Sequence, residues 1–177
     1  MNLFFRLFYL LVAARRRSKL GVLETGRVEM RVWPGDLDVL WHMNNGRYLT
    51  IMDLGRVDFL IRTGLLDKIR QRKWFPVVAA LSITYKRPLK LWQKFEMTTR
   101  IAGWDERWIY LQQEFHSDGK LAAAALIKGT FRSAEGAVPM AAVVALSGFT
   151  GEPPQIPPAA ACLSEFEIAP PNGGNPA

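Results

Sequence analysis

At 177 residues, with 49% hydrophobic and 22% charged side chains, the chain has the composition of a globular protein and room for one domain with a real core. A net charge of +7 suits nucleic acid, a membrane surface or an anionic small molecule. The two basic blocks, Arg15, Arg16, Arg17 and Lys19, then Lys68, Arg70, Arg72 and Lys73, sit in no zinc-finger, RNP or helix-turn-helix pattern, which argues against nucleic acid.

The first segment, MNLFFRLFYLLVAARRRSK, is an apolar run broken by Arg6 and closed by arginines. Its apolar part is shorter than the roughly 20 residues that span a bilayer. Its positive charges follow the apolar run, the reverse of a secretory signal. As a helix, it places Leu3, Leu7, Leu10 and Leu11 on one face, with Phe4 and Ala14 nearby. That face suits either an interfacial membrane helix or docking on the domain or a partner subunit; amphipathicity does not choose between them. The expected divisions are residues 1–20 for this helix, 21–150 for the domain and 151–177 for a Pro-rich tail. The single cysteine, Cys162, excludes an internal disulfide and allows a reducing, cytoplasmic compartment, with peripheral membrane contact through residues 1–19 left open.

GRVEMRVWP alternates as a half-buried strand, with Val28, Met30 and Val32 on one side, and Pro34-Gly35 ends it. RYLTIMDLGRVDFLIRTG reads as a helix, with Tyr48, Met52, Gly55 and Phe59 at helical spacing and Gly64 as C-cap. GLLDKIRQRK follows as a short helix with a wet basic face. From Val77 the period changes to strands: VVAALSITYKRP, FEMTTRIAGW, RWIYLQQEFHS and KLAAAALIKGTFRS. Asp118-Gly119 is a hairpin signal, and it makes the alanine-rich segment a strand in spite of its helical propensity. Pro139 to Leu146 is a short helix with Pro139 in its first turn. The tail from Gly151 is extended and disordered at its end. The class is α+β, a long central helix wrapped by a curved antiparallel sheet, with an extra N-terminal amphipathic helix.

Between the first strand and the long helix lies DLDVLWHMNNGRYL, residues 36–49. Asn44 is a good N-cap, with the helix starting at Asn45. The amides of Asn45, Gly46 and Arg47 then lack helical partners at the positive end of the helix dipole. Gly46, without a side chain, permits close approach to them. On spacing alone Asp38 is a loop-capping aspartate. Asp36 holds the turn after Pro34-Gly35. His42 reads as a hydrogen-bonded structural histidine, and Asp53 as an i,i+3 partner of Arg56.

Asp38, His42, Asn44, Asn45 and Tyr48 match the pattern D-x-x-x-H-x-N-N-x-x-Y. In this the chain resembles the hotdog-fold acyl-CoA thioesterases of the 4-hydroxybenzoyl-CoA thioesterase type. YLTIMDLGRVDFL and ITYKRPLKLWQKFEMTTRIAGWDERWIYLQQEF continue the likeness. The nearest resemblance is to the thioesterase superfamily member six-like proteins, over about residues 27–132. It implies a hotdog fold, hydrolysis of acyl-CoA, no metal, and no cofactor beyond the substrate's own CoA. It puts Asp38 in the catalytic carboxylate position, as nucleophile or as general base on water, and the Asn45 N–H on the thioester carbonyl. His42 would orient the loop or a water. Asp53 is the competitor, because another hotdog subtype carries its carboxylate about two turns into the helix. Many members have glycine where this chain has Trp41, so an indole there would narrow or reshape the pocket. Asn44, Gly46 and Tyr48 would line the site, and Lys86, Arg87 and Lys90 would grip CoA phosphates. Hotdog domains dimerise by joining sheets edge to edge, so a homodimer is expected. A dehydratase using His42 with Asp53 is a second enzyme reading, but the loop does not resemble the dehydratase pattern; the alternative is a non-catalytic acyl- or lipid-binding module at the membrane.

Overall fold

The computed structural model describes residues 3–163. Helix α1 (Leu3–Arg16) is followed by strand β1 (Gly26–Arg31), the long helix α2 (Asn45–Arg62) and the short helix α3 (Leu65–Gln71). Four long strands come next: β2 (Phe75–Tyr85), β3 (Lys94–Trp104), β4 (Ile109–Ser117) and β5 (Lys120–Ser133). The short strand β6 (Gly136–Val138) and helix α4 (Met140–Ser147) complete the main body. The sheet is antiparallel, in the order β1-β3-β4-β5-β2, and β6 adds to β5. It curls around α2, as the α+β reading expects.

The long helix forms where its signals lie. Asn44 caps its start, Thr63 ends it, and Gly64 follows at φ +70°, a left-handed turn that suits glycine. Tyr48, Ile51 and Met52 are buried against Phe95, Met97 and Phe115 of the sheet. Asp118 and Gly119 both take positive φ, at 52° and 70°, which makes the tight β4–β5 hairpin. The alanine-rich β5 pairs with β4 on one side and β2 on the other. Ladders on both edges outweigh the helical preference of alanine, and the small side chains of Ala122, Ala123 and Ala125 are buried in the core under α2. Pro139 is the N-cap of α4 rather than part of its first turn, and β6 has no counterpart in the sequence reading.

The segment after α4 packs on the sheet. Ile156 and Ala160 pack with Ala102 and Tyr110. Gly103 allows this, since a Cβ there would stand 2.9 Å from the Pro154 carbonyl oxygen. The end of the tail, for which disorder was expected, lies outside the described residues.

Helix α1 is docked on the domain. Leu10 is buried with Val28 and Leu54, and Leu3 and Leu7 pack beside them. Two arginines reach from this segment to buried aspartates. Arg6 pairs with Asp36, and the Arg17 guanidinium lies 3.1 Å from Asp58, which is 1% exposed and also has Arg62 at 3.5 Å. Burial pushes the Asp58 carboxyl above the usual aspartate range, against the opposing pull of Arg17 and Arg62. Among the described residues no helix is long and apolar enough to cross a membrane.

α2 approaches the sheet closely at Gly55. A Cβ there would stand 2.5 Å from Met97 Cε, 2.9 Å from Thr99 Oγ1 and 3.0 Å from Gln113 Nε2. Met97 can yield, but Gln113 Nε2 donates to Thr99 Oγ1 at 2.8 Å and to the Met52 carbonyl at 3.1 Å, which fixes both. Gly55→Ala is expected to lose about 1–2 kcal/mol, overpacking outweighing the gain in helix propensity. Urea unfolding checks it: the midpoint falls while the slope stays.

Candidate active site

The segment 36–44 folds into a small ribbon. Asn44 N–H donates to the Asp36 carbonyl at 2.8 Å, Leu37 bridges Met43, and Asp38 N–H donates to the His42 carbonyl at 2.8 Å. Val39, Leu40 and Trp41 form its exposed tip. Trp41 takes φ +60° and its side chain is 71% exposed. That left-handed backbone is the conformation glycine adopts without penalty. The indole stands at the tip facing solvent instead of narrowing a pocket within this chain.

Asp38 caps the ribbon, as spacing alone suggests. Its Oδ1 accepts from Leu40 N–H at 2.8 Å and His42 N–H at 3.3 Å. No described group donates to Oδ2. The capping bonds orient the carboxylate. His42 enters the ribbon through its backbone, and its ring has no hydrogen-bond partner among the described residues.

The start of α2 differs from expectation in one respect. Three free amides were expected, but Asn44 Oδ1 accepts from Gly46 N–H at 2.9 Å and the Asn44 carbonyl accepts from Arg47 N–H at 2.8 Å. The cap residue folds over its own first turn and takes both. Only the Asn45 N–H has no acceptor among the described residues. Gly46 serves the cap more than a ligand, for a Cβ would stand 3.2 Å from Asn44 Oδ1. No acidic residue lies in the first turn of α2 itself, so the carboxylates at the positive end of its dipole come from the 36–44 ribbon. Tyr85, which the sequence reading did not single out, donates from its hydroxyl to the Asn45 carbonyl at 3.2 Å. Its place directly before Lys86, at a strand end, was the available signal.

A second segment lies beside the ribbon. Met43 N–H donates to the Leu89 carbonyl at 2.8 Å, and His42 bridges Lys90. The amides of Lys86 and Arg87 both donate to the Ala122 carbonyl, at 2.7 and 3.0 Å. Lys86, Arg87 and Lys90 are therefore carried to the side of the ribbon on a tethered loop. All three are exposed and in no ion pair among the described residues. Tyr48 is buried beneath, its hydroxyl partnered by the backbone of Leu89 and its pKa raised by burial. Its ring meets Tyr85 and Phe115 edge-on at 5.2 and 5.0 Å. It supports the wall of the site from the core.

Asp53 is exposed and paired with Arg56, whose other amine donates to Gln113 Oε1 at 2.8 Å. It lies about 12 Å along α2 from Asn45. Within one chain the structure does not bring it to the ribbon, nor does it join it to His42. Asp53 and Arg56 line instead a mostly apolar cavity of about 330 Å3, shared with Val57, Leu60, Val77 and Ile101. A larger, open groove of about 690 Å3 runs between α1 and the edge of β1 and includes no residue from 36 to 49.

Asp36 joins the ribbon to the rest of the fold. It is 2% exposed and accepts from Trp33 N–H at 2.8 Å, pairs with Arg6, and has Arg47 Nε at 3.3 Å. It holds the turn, as expected, and also anchors α1 and the first turn of α2.

A single chain with this fold and this arrangement defines a hotdog-type domain, and the comparisons agree. Residues 32–161 match the thioesterase-like superfamily, so the chain belongs to that family. It is 34% identical over 132 residues to Protein THEM6 of Drosophila melanogaster, covering 72% of this chain and 68% of the fly protein. It is 42% identical over 109 residues to Protein THEM6 of Danio rerio, covering 60% of this chain and 54% of that protein. With Xenopus laevis THEM6 the match covers 41% of the relative, so the chain spans from under half to about two thirds of these relatives. In fold it is similar to the probable thioesterase YbaW of Escherichia coli, at TM-score 0.65 and 23% identity over 68% of this chain and 94% of that one. It is also similar to the gentisyl-coenzyme A thioesterase BH1999, at TM-score 0.61 and 20% identity over 68% and 98%.

Asp36→Ala is expected to destabilise the protein by about 3–5 kcal/mol, because it leaves the buried Arg6 guanidinium without its counter-charge. Chemical unfolding of the full chain measures it. Trp41→Gly is expected to leave stability unchanged or raise it by about 1 kcal/mol, since the left-handed backbone is already in place. Thermal unfolding compares the two chains.

Proposed function

We propose that the protein hydrolyses acyl-CoA thioesters at the start of α2. One observation carries the reading: Asn45 N–H, which has no acceptor among the described residues, shares its end of the helix with an aspartate ribbon and with Lys86, Arg87 and Lys90, which are in no ion pair among those residues. The thioester carbonyl oxygen sits on the Asn45 N–H, where the helix dipole stabilises negative charge as it develops. The open oxygen of Asp38 supplies the attack by one of two routes. In the first it adds to the carbonyl carbon, the tetrahedral oxyanion collapses, the C–S bond breaks, and CoA leaves as thiolate; water then hydrolyses the mixed anhydride. In the second it takes a proton from water as water adds to the same carbon, and the tetrahedral oxyanion then collapses, breaking the C–S bond and releasing CoA thiolate and the carboxylic acid. Lys86, Arg87 and Lys90 bind the CoA phosphates, and Trp41 at the tip lies over the bound thioester.

A homodimer through β2 fits this site. Among the described residues β2 pairs only with β5, none of its residues is buried, and Phe75, Val78 and Tyr85 are exposed along it. Pairing with a second β2 would cover that edge and enclose the start of α2, which Tyr85 already touches. The exposed Val39-Leu40-Trp41 tip favours a second reading, a non-catalytic acyl-binding module, which wild-type turnover would dismiss.

Asp38→Asn is expected to lower kcat/KM for acyl-CoA by about 100-fold or more while the protein stays folded. Lys86→Ala with Arg87→Ala is expected to raise KM with little change in kcat, as removal of uniform binding does. Thiol release across a panel of acyl-CoAs measures both. A wild type and an Asp38→Asn variant of equal activity would refute the assignment.

A further inference from the structure

The leucine face of α1 is used up in docking, and the opposite face is left with an apolar surface of its own. Residues 3, 6, 7, 10 and 14 turn toward the domain, held by the Arg6–Asp36 and Arg17–Asp58 pairs at either end. Phe4 is 75% exposed, and Phe5, Phe8 and Tyr9 are each 69% exposed, with Val12 behind them. At 100° per residue, positions 4, 5, 8, 9 and 12 form one stripe, and Arg15 and Arg16 continue it at the helix end. Both arginines and Lys19 are exposed. The first 23 residues contain no aspartate or glutamate.

We infer that this face is a docking surface for an anionic lipid bilayer. Four aromatic side chains of about 200 Å2 each, mostly exposed, present roughly 500 Å2 of largely apolar surface, more than scattered surface residues account for. A stable contact between two protein copies buries about 800 Å2 on each side, so the stripe by itself is small for a second copy. Rings beside arginines, with no acid among them, match the chemistry of a bilayer interface, where aromatic residues sit at headgroup depth and cations meet lipid phosphates. The ion pairs to Asp36 and Asp58 keep α1 in place, so its aromatic face is presented as part of the folded domain. The surface is independent of thioester hydrolysis.

The test is co-sedimentation of the full chain, without substrate, with vesicles of phosphatidylcholine alone or mixed with phosphatidylglycerol. The expected result is binding to the mixed vesicles and weaker binding to the neutral ones. Phe5→Asp with Phe8→Asp should weaken binding by about tenfold or more. Arg15→Gln with Arg16→Gln should weaken it by about tenfold on the anionic vesicles. All four positions are exposed, and an unchanged thermal unfolding curve confirms that the variants fold. A wild-type chain that stays in the supernatant with both vesicles overturns the inference. So does an aspartate variant that sediments like wild type, or one that changes only the oligomeric state in light scattering.

Discussion

The seating of α2 on the sheet governs the position of everything at the candidate site, and Gly55 sets how closely it seats. With no side chain at that point, the helix backbone reaches the level of Thr99 and Gln113. Gln113 is fully buried, and its three bonds, to Thr99, the Met52 carbonyl and Arg56, satisfy polar groups that the approach removes from water. A helix held off by one methyl group would move its first turn relative to Tyr85 and the 86–90 loop, and the Asn45 amide with it.

A second constraint comes from α1. Buried carboxylates are stable in a fold only with counter-charges, and Asp36 and Asp58 both draw one from the N-terminal segment. Asp36 is the more consequential of the two. It shares its charge between Arg6 of α1 and Arg47 of α2, while its carbonyl holds the Asn44 amide. The N-terminal helix thus belongs to the same electrostatic unit as the ribbon that carries Asp38. A segment that looks like an appendage in sequence is part of what keeps the loop in shape.

The capping geometry at Asn44 narrows the chemistry. Taking the Gly46 and Arg47 amides into the cap removes two of three candidate donors and leaves a single directed one. The same economy is seen at Asp38, where one oxygen is committed to the loop and the other is open. Two groups, each half-used by its own loop, are better oriented than groups free to rotate, because their positions are set before a ligand arrives.

The elements were largely legible in the sequence, since period, caps and turn residues are local signals. Asn44 marked the start of α2, Gly64 its end, and Asp118-Gly119 the hairpin. The motif from Asp38 to Tyr48 marked the site for the same reason: its spacing lies within one loop and one helix turn. What the sequence left open were matters of long-range packing. Whether α1 docks was undecided because amphipathicity does not name what covers a face, and the arginine–aspartate pairs that settle it span 30 and 41 positions. Tyr48 looked like a ligand contact and is a core residue, because only the fold shows which face of the helix meets the sheet. The sequence by itself determined the helices, the strands and the capped loop that carries Asp38, through short-range sterics and hydrogen bonding. Only the tertiary structure decided which amide stays open, which cations stand beside it and which face of α1 is left outward, because those depend on charges and surfaces brought together from distant parts of the chain.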